Sequence, residues 1–442
     1  MKIIGLDIGT TNICGLLSDT ESGEVLKILS EPNRTVSEGP DGVGRCQDPV
    51  AIEESVRRIL EALLCGQGKV DAIGISAAMH GILYLDREGN PVSMLYTWQD
   101  GRGGRRDPSG KTFAEALSEK TGHRLSTGFG TVTYAVHAAC GEVPANAVCL
   151  STVGDFIAMR LAGKKRPVMH RSMAASLGCY ALETGCMDEA ALIKAGINPD
   201  FYPEICTEEA PIGLFRGSIP VSPALGDNQA GYLGTVEEPG AILVNVGTGS
   251  QISVSSPELR SYETLECRPY IGGGYLYVGA SLCGGFAYEI LRDFFRETLS
   301  FAGADISDDG LYAAMNHAAE AAFENAETPR LSVDVRFMGS RGNPDLKGGI
   351  SGLTAKNFTP AQLALGVIQG ICDELYGFFG EIGPENPMAG RNLYGCGNGL
   401  RKNPLMQKLL EERFGCMLMI PESREEAALG AAKFAGLCLL NK

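Results

Sequence analysis

Two short segments of this chain carry nearly the same pattern, and their spacing limits what the chain can fold into. Residues 5–12 read GLDIGTTN and residues 244–250 read VNVGTGS. Asp7 and Asn245 are 238 positions apart (245 − 7), and so are Thr10 and Thr248 (248 − 10). In each segment aliphatic residues enter a Gly-Thr turn and an apolar run leaves it, which predicts a strand, a tight turn and a second strand. The repeat divides the chain into two similar halves.

Both turns have the composition of a phosphate-binding loop. Glycine lets the backbone approach a ligand closely, and successive turn amides together with Thr or Ser hydroxyls direct several donors to one point. A single turn of this kind is more often an ordinary hairpin. Two copies at a matching offset favour a duplicated α/β chain that closes two phosphate loops over one nucleotide.

Length and composition indicate two domains. The chain has 442 residues, of which 44% are apolar, so each half can bury its own core. Pro220, Pro223 and Pro239 flank a glycine-rich segment near residue 230. We place the boundary there and expect domains of residues 1–232 and 233–442 that meet at a cleft.

The composition and the first residues of the chain predict a soluble cytoplasmic protein. No stretch approaches the roughly 20 consecutive apolar residues of a membrane helix, and Asp7 comes too early for a secretory signal. The formal net charge is −15, without an acidic tail, which argues against nucleic acid and anionic membranes as partners. The 14 cysteines have no metal-binding spacing, so we expect reduced and mostly buried thiols.

Helix and strand signals alternate along the chain. Asp48 followed by Pro49 marks the start of a helix whose apolar residues recur on one face. A buried strand over residues 71–76 follows and leads to residues 79–81, at the strand end where open α/β sheets bind ligands. The second half repeats the alternation, and a capping box at residues 359–362 opens a long helix.

Two aspartates have positions that suit phosphoryl transfer. Asp227 lies in a glycine-flanked turn just before the second half, where a carboxylate could accept the proton of an attacking hydroxyl. An Asp that only caps the next helix fits the same pattern. Asp7, two residues before Gly9, could hold Mg²⁺ through water, or could pair with a neighbour at the strand end.

Three further groups could bind parts of a substrate. Residues 98–100 contain the only Trp and form a turn that could stack on or hydrogen-bond to a polyol, although a Trp that merely packs is equally consistent. His80, taken alone, is more often a satisfied histidine than a catalytic one. Glycines in residues 395–399 could form a flat floor for a planar base, and Asn403 could border that base or simply cap the next helix.

These motifs together resemble the FGGY carbohydrate kinases, a family of the actin-like and hexokinase-like ATPases with ribonuclease-H-like domains. The resemblance covers essentially the whole chain. The matching segments are residues 5–12, 79–81, 98–102, 226–231, 247–250, 337–344, 397–399 and 425–430. It implies an α/β fold of two ribonuclease-H-like domains with a cleft between them.

The resemblance also implies a role for each candidate residue. Asp227 would be the catalytic base, and Asp7 would hold Mg²⁺. The sugar would be bound by Met79, His80, Gly81, Trp98, Gln99, Asp100 and Asn228. The ATP phosphates would be bound by Gly9, Thr10, Thr11, Asn12, Gly247 and Thr248, and the adenine would be bordered by Gly397, Gly399 and Asn403. Met173 departs from the family pattern, which has a polar residue at this position.

The implied activity is ATP-dependent phosphorylation of the terminal hydroxyl of a free ketose, with sedoheptulose as the first choice. Xylulose, ribulose or glycerol are alternative substrates. An actin-like ATPase without a sugar substrate is a different alternative, and it would have no use for residues 79–80 and 98–100. A sugar sensor without catalysis is disfavoured because Asp7 and Asp227 are both present. The oligomeric state stays open, with a homodimer as one possibility.

Overall fold

The computed structural model of the chain describes all residues except 39–41, 207, 326, 341–342, 344, 383–391, 423–424 and 441–442. Contacts divide the chain into two compact units. The first unit comprises Met1–Thr235, Arg268–Gly274 and Glu425–Lys442, and the second comprises Val236–Cys267 and Tyr275–Arg424.

The strands of the described residues are mostly short. Those in the first half are β1 (Lys2–Ile8), β2 (Asn12–Asp19), β3 (Glu24–Pro32), β4 (Val36–Glu38), β5 (Arg45–Gln47), β6 (Ala72–Ala77), β7 (Leu83–Leu85), β8 (Leu95–Tyr96), β9 (Cys149–Ser151), β10 (Val168–Met169), β11 (Tyr180–Ala181), β12 (Cys186–Met187), β13 (Glu204–Ile205), β14 (Gly213–Phe215) and β15 (Ile219–Gly226). Those that follow are β16 (Ile242–Val246), β17 (Ser250–Ser256), β18 (Glu266–Pro269), β19 (Tyr275–Ser281), β20 (Ser332–Asp334), β21 (Gly349–Ser351), β22 (Leu393–Cys396) and β23 (Leu418–Met419).

The α-helices vary more in length. They are α1 (Pro49–Leu64), α2 (Phe113–Thr121), α3 (Gly130–Cys140), α4 (Val153–Leu161), α5 (Arg171–Leu177), α6 (Glu189–Lys194), α7 (Asp227–Thr235), α8 (Gly285–Phe301), α9 (Asp308–Glu324), α10 (Pro360–Glu381), α11 (Asn398–Arg401), α12 (Pro404–Phe414) and α13 (Glu426–Leu440). No helix of the described residues combines the length and the apolar character that crossing a membrane requires.

The first unit is organised by a six-stranded mixed sheet in the order β14–β15–β6–β1–β2–β3. Strands β1, β2 and β3 run antiparallel in sequence, whereas β6 lies parallel to β1 and β15 lies parallel to β6. Every residue of β6 is buried, as expected for a strand covered on both faces. The predicted strand over residues 71–76 is therefore confirmed, shifted by one residue.

Five of these six strands have counterparts in the same order in a second sheet, where β23–β22–β16–β17–β19 correspond to β15–β6–β1–β2–β3. The six-stranded sheet of the second unit has the order β18–β19–β17–β16–β22–β23. Strands β16, β17 and β19 are antiparallel neighbours, and β22 and β23 continue in parallel from β16. The hairpin that opens each unit therefore occupies the same place in both sheets, which confirms the duplication and the mixed α/β fold expected from the sequence.

Helix starts follow the local capping chemistry. Asp48 Oδ1 accepts hydrogen bonds from the amides of Val50 at 2.9 Å and Ala51 at 3.3 Å, which confirms the predicted start of α1. At the start of α10, Thr359 Oγ1 accepts from the amide of Gln362 at 3.3 Å. The return bond of a capping box is missing, because Gln362 Oε1 is buried without a hydrogen-bond partner among the described residues.

Within the first unit, the last helix, α13, packs very closely against β1 and α7. A Cβ atom added to Gly5 of β1 would lie 1.9 Å from the carbonyl oxygen of Ala428, and one added to Gly234 of α7 would lie 1.8 Å from that of Glu426. Only glycine permits backbones to approach so closely. This packing is why contacts group α13 with the first unit, whereas the predicted division into residues 1–232 and 233–442 follows chain order. That division stays a prediction about the duplicated domains.

Each unit has its own apolar core, as the composition indicated. All 14 cysteines are free, and eight of them are buried: Cys14, Cys46, Cys149, Cys179, Cys283, Cys372, Cys396 and Cys438. Burial raises the pKa of several of these thiols, Cys179 among them to about 11, so they are protonated and act as small apolar side chains.

Candidate active site

The turn between β1 and β2 is the first predicted phosphate loop. Its carbonyl groups are held from outside the turn: Asn33 Nδ2 donates to the oxygen of Gly9 at 3.0 Å, Gln47 Nε2 donates to that of Thr10 at 3.0 Å, and the Asn33 amide donates to that of Thr11 at 2.7 Å. In a trans peptide the carbonyl and the following N–H point in opposite directions. The amides of Thr10 and Thr11 are therefore turned away from Asn33 and Gln47, which suits an anion.

In the turn between β16 and β17 of the second unit, the carbonyl groups also accept hydrogen bonds from outside the turn. The amides of Gly285 and Phe286, at the start of α8, donate to the carbonyl oxygens of Gly247 and Thr248, both at 2.9 Å. The amides that follow these carbonyls, those of Thr248 and Gly249, are therefore turned away from α8. In each unit, the carbonyl groups of the turn accept hydrogen bonds from neighbouring residues. The amides that follow these carbonyls point away from those neighbours and are suited to an anion.

Asp7 lies in a group of acidic side chains within the first unit. Ser76 Oγ donates to Asp7 Oδ1 at 2.8 Å. Burial, with the negative charges of Asp227 and Glu425 nearby, raises the pKa of Asp7 to about 7, against the Ser76 bond that lowers it. A nearby cation would relieve this repulsion, although the described residues contain no group of three or more His, Cys, Asp or Glu side chains arranged to hold a metal ion.

Asp227 is the first residue of α7 and follows β15 directly. Asn228 contacts its Oδ1 twice, through the backbone amide at 2.8 Å and through Nδ2 at 3.4 Å. Burial raises the pKa of Asp227, and the Asn228 hydrogen bonds and the positive charge of Arg268 oppose that rise. The carboxylate is therefore oriented by its neighbour and stands inside the helix start rather than before it as a cap.

His80 is held in a strained conformation next to the end of β6. Its φ is 73°, in the left-handed region that residues other than glycine seldom occupy. The His80 amide donates to Ser176 Oγ at 3.1 Å, Nδ1 lies 2.6 Å from the Ser176 carbonyl oxygen, and the ring stacks on Phe129 with centroids 4.6 Å apart. A carbonyl only accepts, so Nδ1 carries the proton and Nε2 has acceptor character. Such strain persists where the surroundings fix a side chain for a task.

The three residues of the predicted polyol turn have different environments. Trp98 is 48% exposed, and its Nε1 donates to Thr10 Oγ1 at 3.1 Å. Gln99 is exposed, whereas Asp100 is buried and its Oδ1 accepts from Arg102 Nε at 2.7 Å. The other carboxylate oxygen, Asp100 Oδ2, is buried without a hydrogen-bond partner among the described residues.

The remaining sugar candidates are mainly packing residues. The backbone of Gly81 lies so close to Tyr96 that a Cβ atom added to Gly81 would be 2.7 Å from the Tyr96 carbonyl oxygen. Met79 is buried, and its sulfur would lie 2.8 Å from a Cβ added to Gly226. Met173, which departs from the family pattern, is fully buried in the core of the first unit.

The residues predicted to border adenine have structural roles of their own in the second unit. A Cβ atom on Gly397 would lie 2.4 Å from the Val246 carbonyl oxygen, and one on Gly399 would lie 2.9 Å from it. Asn403 caps α12, because its Oδ1 accepts from the Met406 amide at 2.9 Å. Close packing and capping account for these residues, and their contact with a base stays a prediction.

Several residues that shape these sites were not identified from the sequence. Asn33 and Gln47 orient the first loop, Ser176 fixes His80, and Arg268 contacts Asn228. Asn33 and Gln47 are buried amides at the ends of strands, and that unusual placement is a usable signal. Arg268 lies 40 positions from Asn228, and only the fold brings the two together.

The duplicated sheet, with a donor-bearing turn at the start of each copy and aspartates beside the first turn, defines a two-unit α/β phosphotransferase architecture. Two family models match the chain: the N-terminal domain of the FGGY family of carbohydrate kinases over residues 2–234 and the C-terminal domain of that family over residues 242–439. The chain belongs to the FGGY family of carbohydrate kinases, and it is a sugar kinase.

Individual relatives agree with this family. Sedoheptulokinase from Mus musculus is 26% identical over 97% of this chain and 96% of that protein. Gluconokinase from Bacillus licheniformis is 24% identical over 97% of this chain and 86% of that protein. Among solved structures, a xylulose kinase from Rhodospirillum rubrum has a TM-score of 0.83 at 20% identity and covers 99% of this chain and 90% of that one, which supports the fold.

Proposed function

We propose that this kinase transfers the terminal phosphoryl group of ATP to the terminal hydroxyl of a free ketose, with sedoheptulose as the preferred substrate and sedoheptulose 7-phosphate as the product. The observation that carries the proposal is Asp227. It is a carboxylate fixed at the start of α7 by Asn228, in the neighbourhood of Asp7 and of the first phosphate loop. A carboxylate so placed is what deprotonation of an alcohol requires.

In the proposed reaction Asp227 is ionised and accepts the proton of the sugar hydroxyl. The hydroxyl oxygen attacks the terminal phosphorus of ATP, and ADP leaves with the bridging oxygen. The amides of Thr10 and Thr11 in the first loop donate to phosphate oxygens. The protein's part is mainly positioning and charge stabilisation, since phosphoryl transfer requires little covalent assistance.

Magnesium fits the residues present around Asp7. Mg²⁺ prefers oxygen ligands, keeps several waters, and is commonly held by one or two carboxylates together with substrate phosphates. Asp7 is such a carboxylate, and the negative charges of Asp227 and Glu425 act on it, although burial is the main cause of its raised pKa. When bound, the ion would neutralise charge on the phosphate oxygens.

The sugar would be bound by groups already fixed in the first unit. Trp98 offers a half-exposed ring for stacking on carbon–hydrogen faces. His80 Nε2 has acceptor character for a hydroxyl, and Asn228 Nδ2 can donate to a hydroxyl oxygen. The Gln99 side chain can donate through Nε2 or accept through Oε1. Asp100 Oδ2 lacks a partner among the described residues and could accept a further hydroxyl.

The choice of sedoheptulose rests on two supports. The mouse relative matches nearly the whole of this chain, and residues 79–81 and 98–102 carry the sugar-site pattern that suggests this substrate from the sequence. Gluconokinase belongs to the same set of relatives, so a different sugar or polyol is the alternative substrate.

A substrate panel tests the proposal. Purified protein with Mg²⁺ and ATP would be assayed for ADP release with sedoheptulose, xylulose, ribulose, gluconate and glycerol, and the product would be identified by ³¹P and ¹³C NMR. We expect kcat/KM to be highest for sedoheptulose, with phosphate on the terminal carbon. A higher kcat/KM for another sugar would replace the substrate and keep the kinase, whereas ADP release that does not depend on any sugar would favour an actin-like ATPase.

A further inference from the structure

A short segment from the middle of the chain packs on the first turn of α7. Residues 268–274 group with the first unit, although the chain on either side belongs to the second. Gln229 Nε2 donates to the Pro269 carbonyl oxygen at 3.2 Å, and the rings of Tyr232 and Tyr270 meet edge to face with centroids 5.5 Å apart. Gln229 and Tyr232 are buried, so the segment is held in one register against α7.

This register places Arg268 beside the neighbour of the catalytic carboxylate. Arg268 Nη1 donates to Asn228 Oδ1 at 2.7 Å, and Arg268 is only 8% exposed. A guanidinium group has donors and no acceptor, so the Asn228 amide must present its oxygen to Arg268. The nitrogen of the same amide, Nδ2, is then turned to Asp227 Oδ1, at 3.4 Å.

We infer that Arg268 is a positioning residue that fixes the orientation of the Asn228 amide, so that Asn228 presents a donor to Asp227 and to the sugar. With the amide reversed, its oxygen would face the Asp227 carboxylate, and two acceptors would repel each other. In the observed orientation Asn228 Nδ2 can donate to a hydroxyl oxygen of the sugar. In the reversed orientation Asn228 Oδ1 would take its place and could not donate. The inference rests on the proposed role of Asp227 as the base.

Arg268 therefore acts on the reaction mainly through Asn228, in addition to the direct effect of its charge on Asp227, and needs no contact with the sugar. Removing its guanidinium should leave the Asn228 amide free to rotate between its two orientations, one of which disfavours the ionised base. The loss should appear mainly in kcat with sugar and much less in the KM for ATP, since the bond to Asn228 places Arg268 beside the proposed base.

A double-mutant cycle tests this dependence. Arg268→Gln, Asn228→Ala and the double variant would be compared with wild type for kcat and for both KM values. We expect Arg268→Gln to lower kcat roughly tenfold to a hundredfold, in line with loss of a charge-assisted hydrogen bond, and to add less than about threefold in the Asn228→Ala background. Arg268→Lys should retain part of the activity, and guanidinium ion should restore activity to Arg268→Ala.

The control is Arg58→Gln, which makes the same change on the exposed face of α1 where Arg58 pairs with Glu31. It should keep wild-type kcat. The inference would be overturned if the double variant lost kcat by the product of the two single fold-changes, because the residues would then act independently. Wild-type kcat in Arg268→Gln would also overturn it. So would loss of the folded state in both Arg268→Gln and Arg268→Lys, judged by circular dichroism, because Arg268 would then be a folding residue.

The two hypotheses fail in different ways. Activity that survives replacement of Asp227 would refute the role of the base itself, whatever Arg268 does. An inactive Asp227→Asn variant together with a fully active Arg268→Gln variant would keep the proposed function and refute only the positioning role.

Discussion

The indole nitrogen of Trp98 donates a hydrogen bond to the Thr10 hydroxyl, with 3.1 Å between Nε1 and Oγ1. Trp98 belongs to the proposed sugar site and Thr10 to the first phosphate loop, so one bond joins the two parts of the site within the first unit. The ring remains 48% exposed and therefore accessible to a substrate. A sugar that stacks on this ring would also fix the position of the Thr10 hydroxyl.

Replacing Trp98 by Phe separates stacking from this bond. The Phe ring still offers a face to the sugar but has no donor for Thr10, so we expect kcat to fall about two- to tenfold, which corresponds to about 0.5–1.5 kcal/mol for one hydrogen bond. The KM for the sugar should change little. Trp98→Ala serves as the comparison, because it removes the ring as well and should raise that KM.

Thr10→Val completes the test of the Trp98 bond. In the Thr10→Val background the bond is already absent, so Trp98→Phe should have almost no further effect on kcat. Steady-state kinetics of the four proteins would show this, and equal effects of Trp98→Phe in both backgrounds would mean that the bond plays no part in turnover.

Two glycines of α7 provide a matched pair for the packing of α13. Gly234→Ala would place a Cβ 1.8 Å from the Glu426 carbonyl oxygen, whereas a Cβ on Gly231 meets no atom within 4 Å. We expect Gly234→Ala to lower the free energy of unfolding by more than about 2 kcal/mol through overpacking, and Gly231→Ala to raise it by about 0.5–1 kcal/mol through helix propensity. Urea denaturation measures both changes. Equal stabilities would contradict the observed approach of α13 to α7.

Asp155 predicts a specific pH dependence of stability. Thr152 Oγ1 donates to Asp155 Oδ2 at 2.6 Å, Oδ1 has no partner among the described residues, and burial raises the pKa of Asp155 to about 8. Between about pH 4, the unfolded value, and pH 8, the folded protein keeps a proton that the unfolded chain has released. Because the folded state binds more protons, this group makes the free energy of unfolding fall as pH rises.

Asp155→Asn removes that dependence. The difference in free energy of unfolding, variant minus wild type, should therefore shift in favour of the variant by more than about 1 kcal/mol between pH 5 and pH 8. Denaturant titrations at several pH values give this difference, in which the titration of other groups such as Asp7 largely cancels. A difference that stays constant over this range would show that Asp155 is not protonated in the folded protein.

The parts of the fold that the sequence predicted are those set by local chemistry. The two hairpins were visible because aliphatic runs alternate around Gly-Thr turns, and α1 was visible because Asp48 and Pro49 start an amphipathic pattern. The buried strand β6 was visible as a short apolar run. Asp7 and Asp227 could be singled out because each adjoins a glycine turn.

The parts that escaped prediction depend on contacts between distant residues. Nothing near Glu426 in the sequence indicates that α13 rests on Gly5 and Gly234. His80, whose φ is positive, contacts Ser176 and Phe129, which are far from it in the chain. Arg268 is an ordinary strand residue until the fold brings it to Asn228, so its role could not be predicted from local patterns.

Asp227→Asn tests the central claim most directly. The substitution keeps the shape of the side chain but removes the proton acceptor, so sugar-dependent ADP formation should fall by about 10²- to 10⁴-fold. The melting temperature and the affinity for ATP, measured by calorimetry, should stay close to wild type. A folded Asp227→Asn protein that turns over sedoheptulose within tenfold of the wild-type rate would show that another group accepts the proton and would contradict the account.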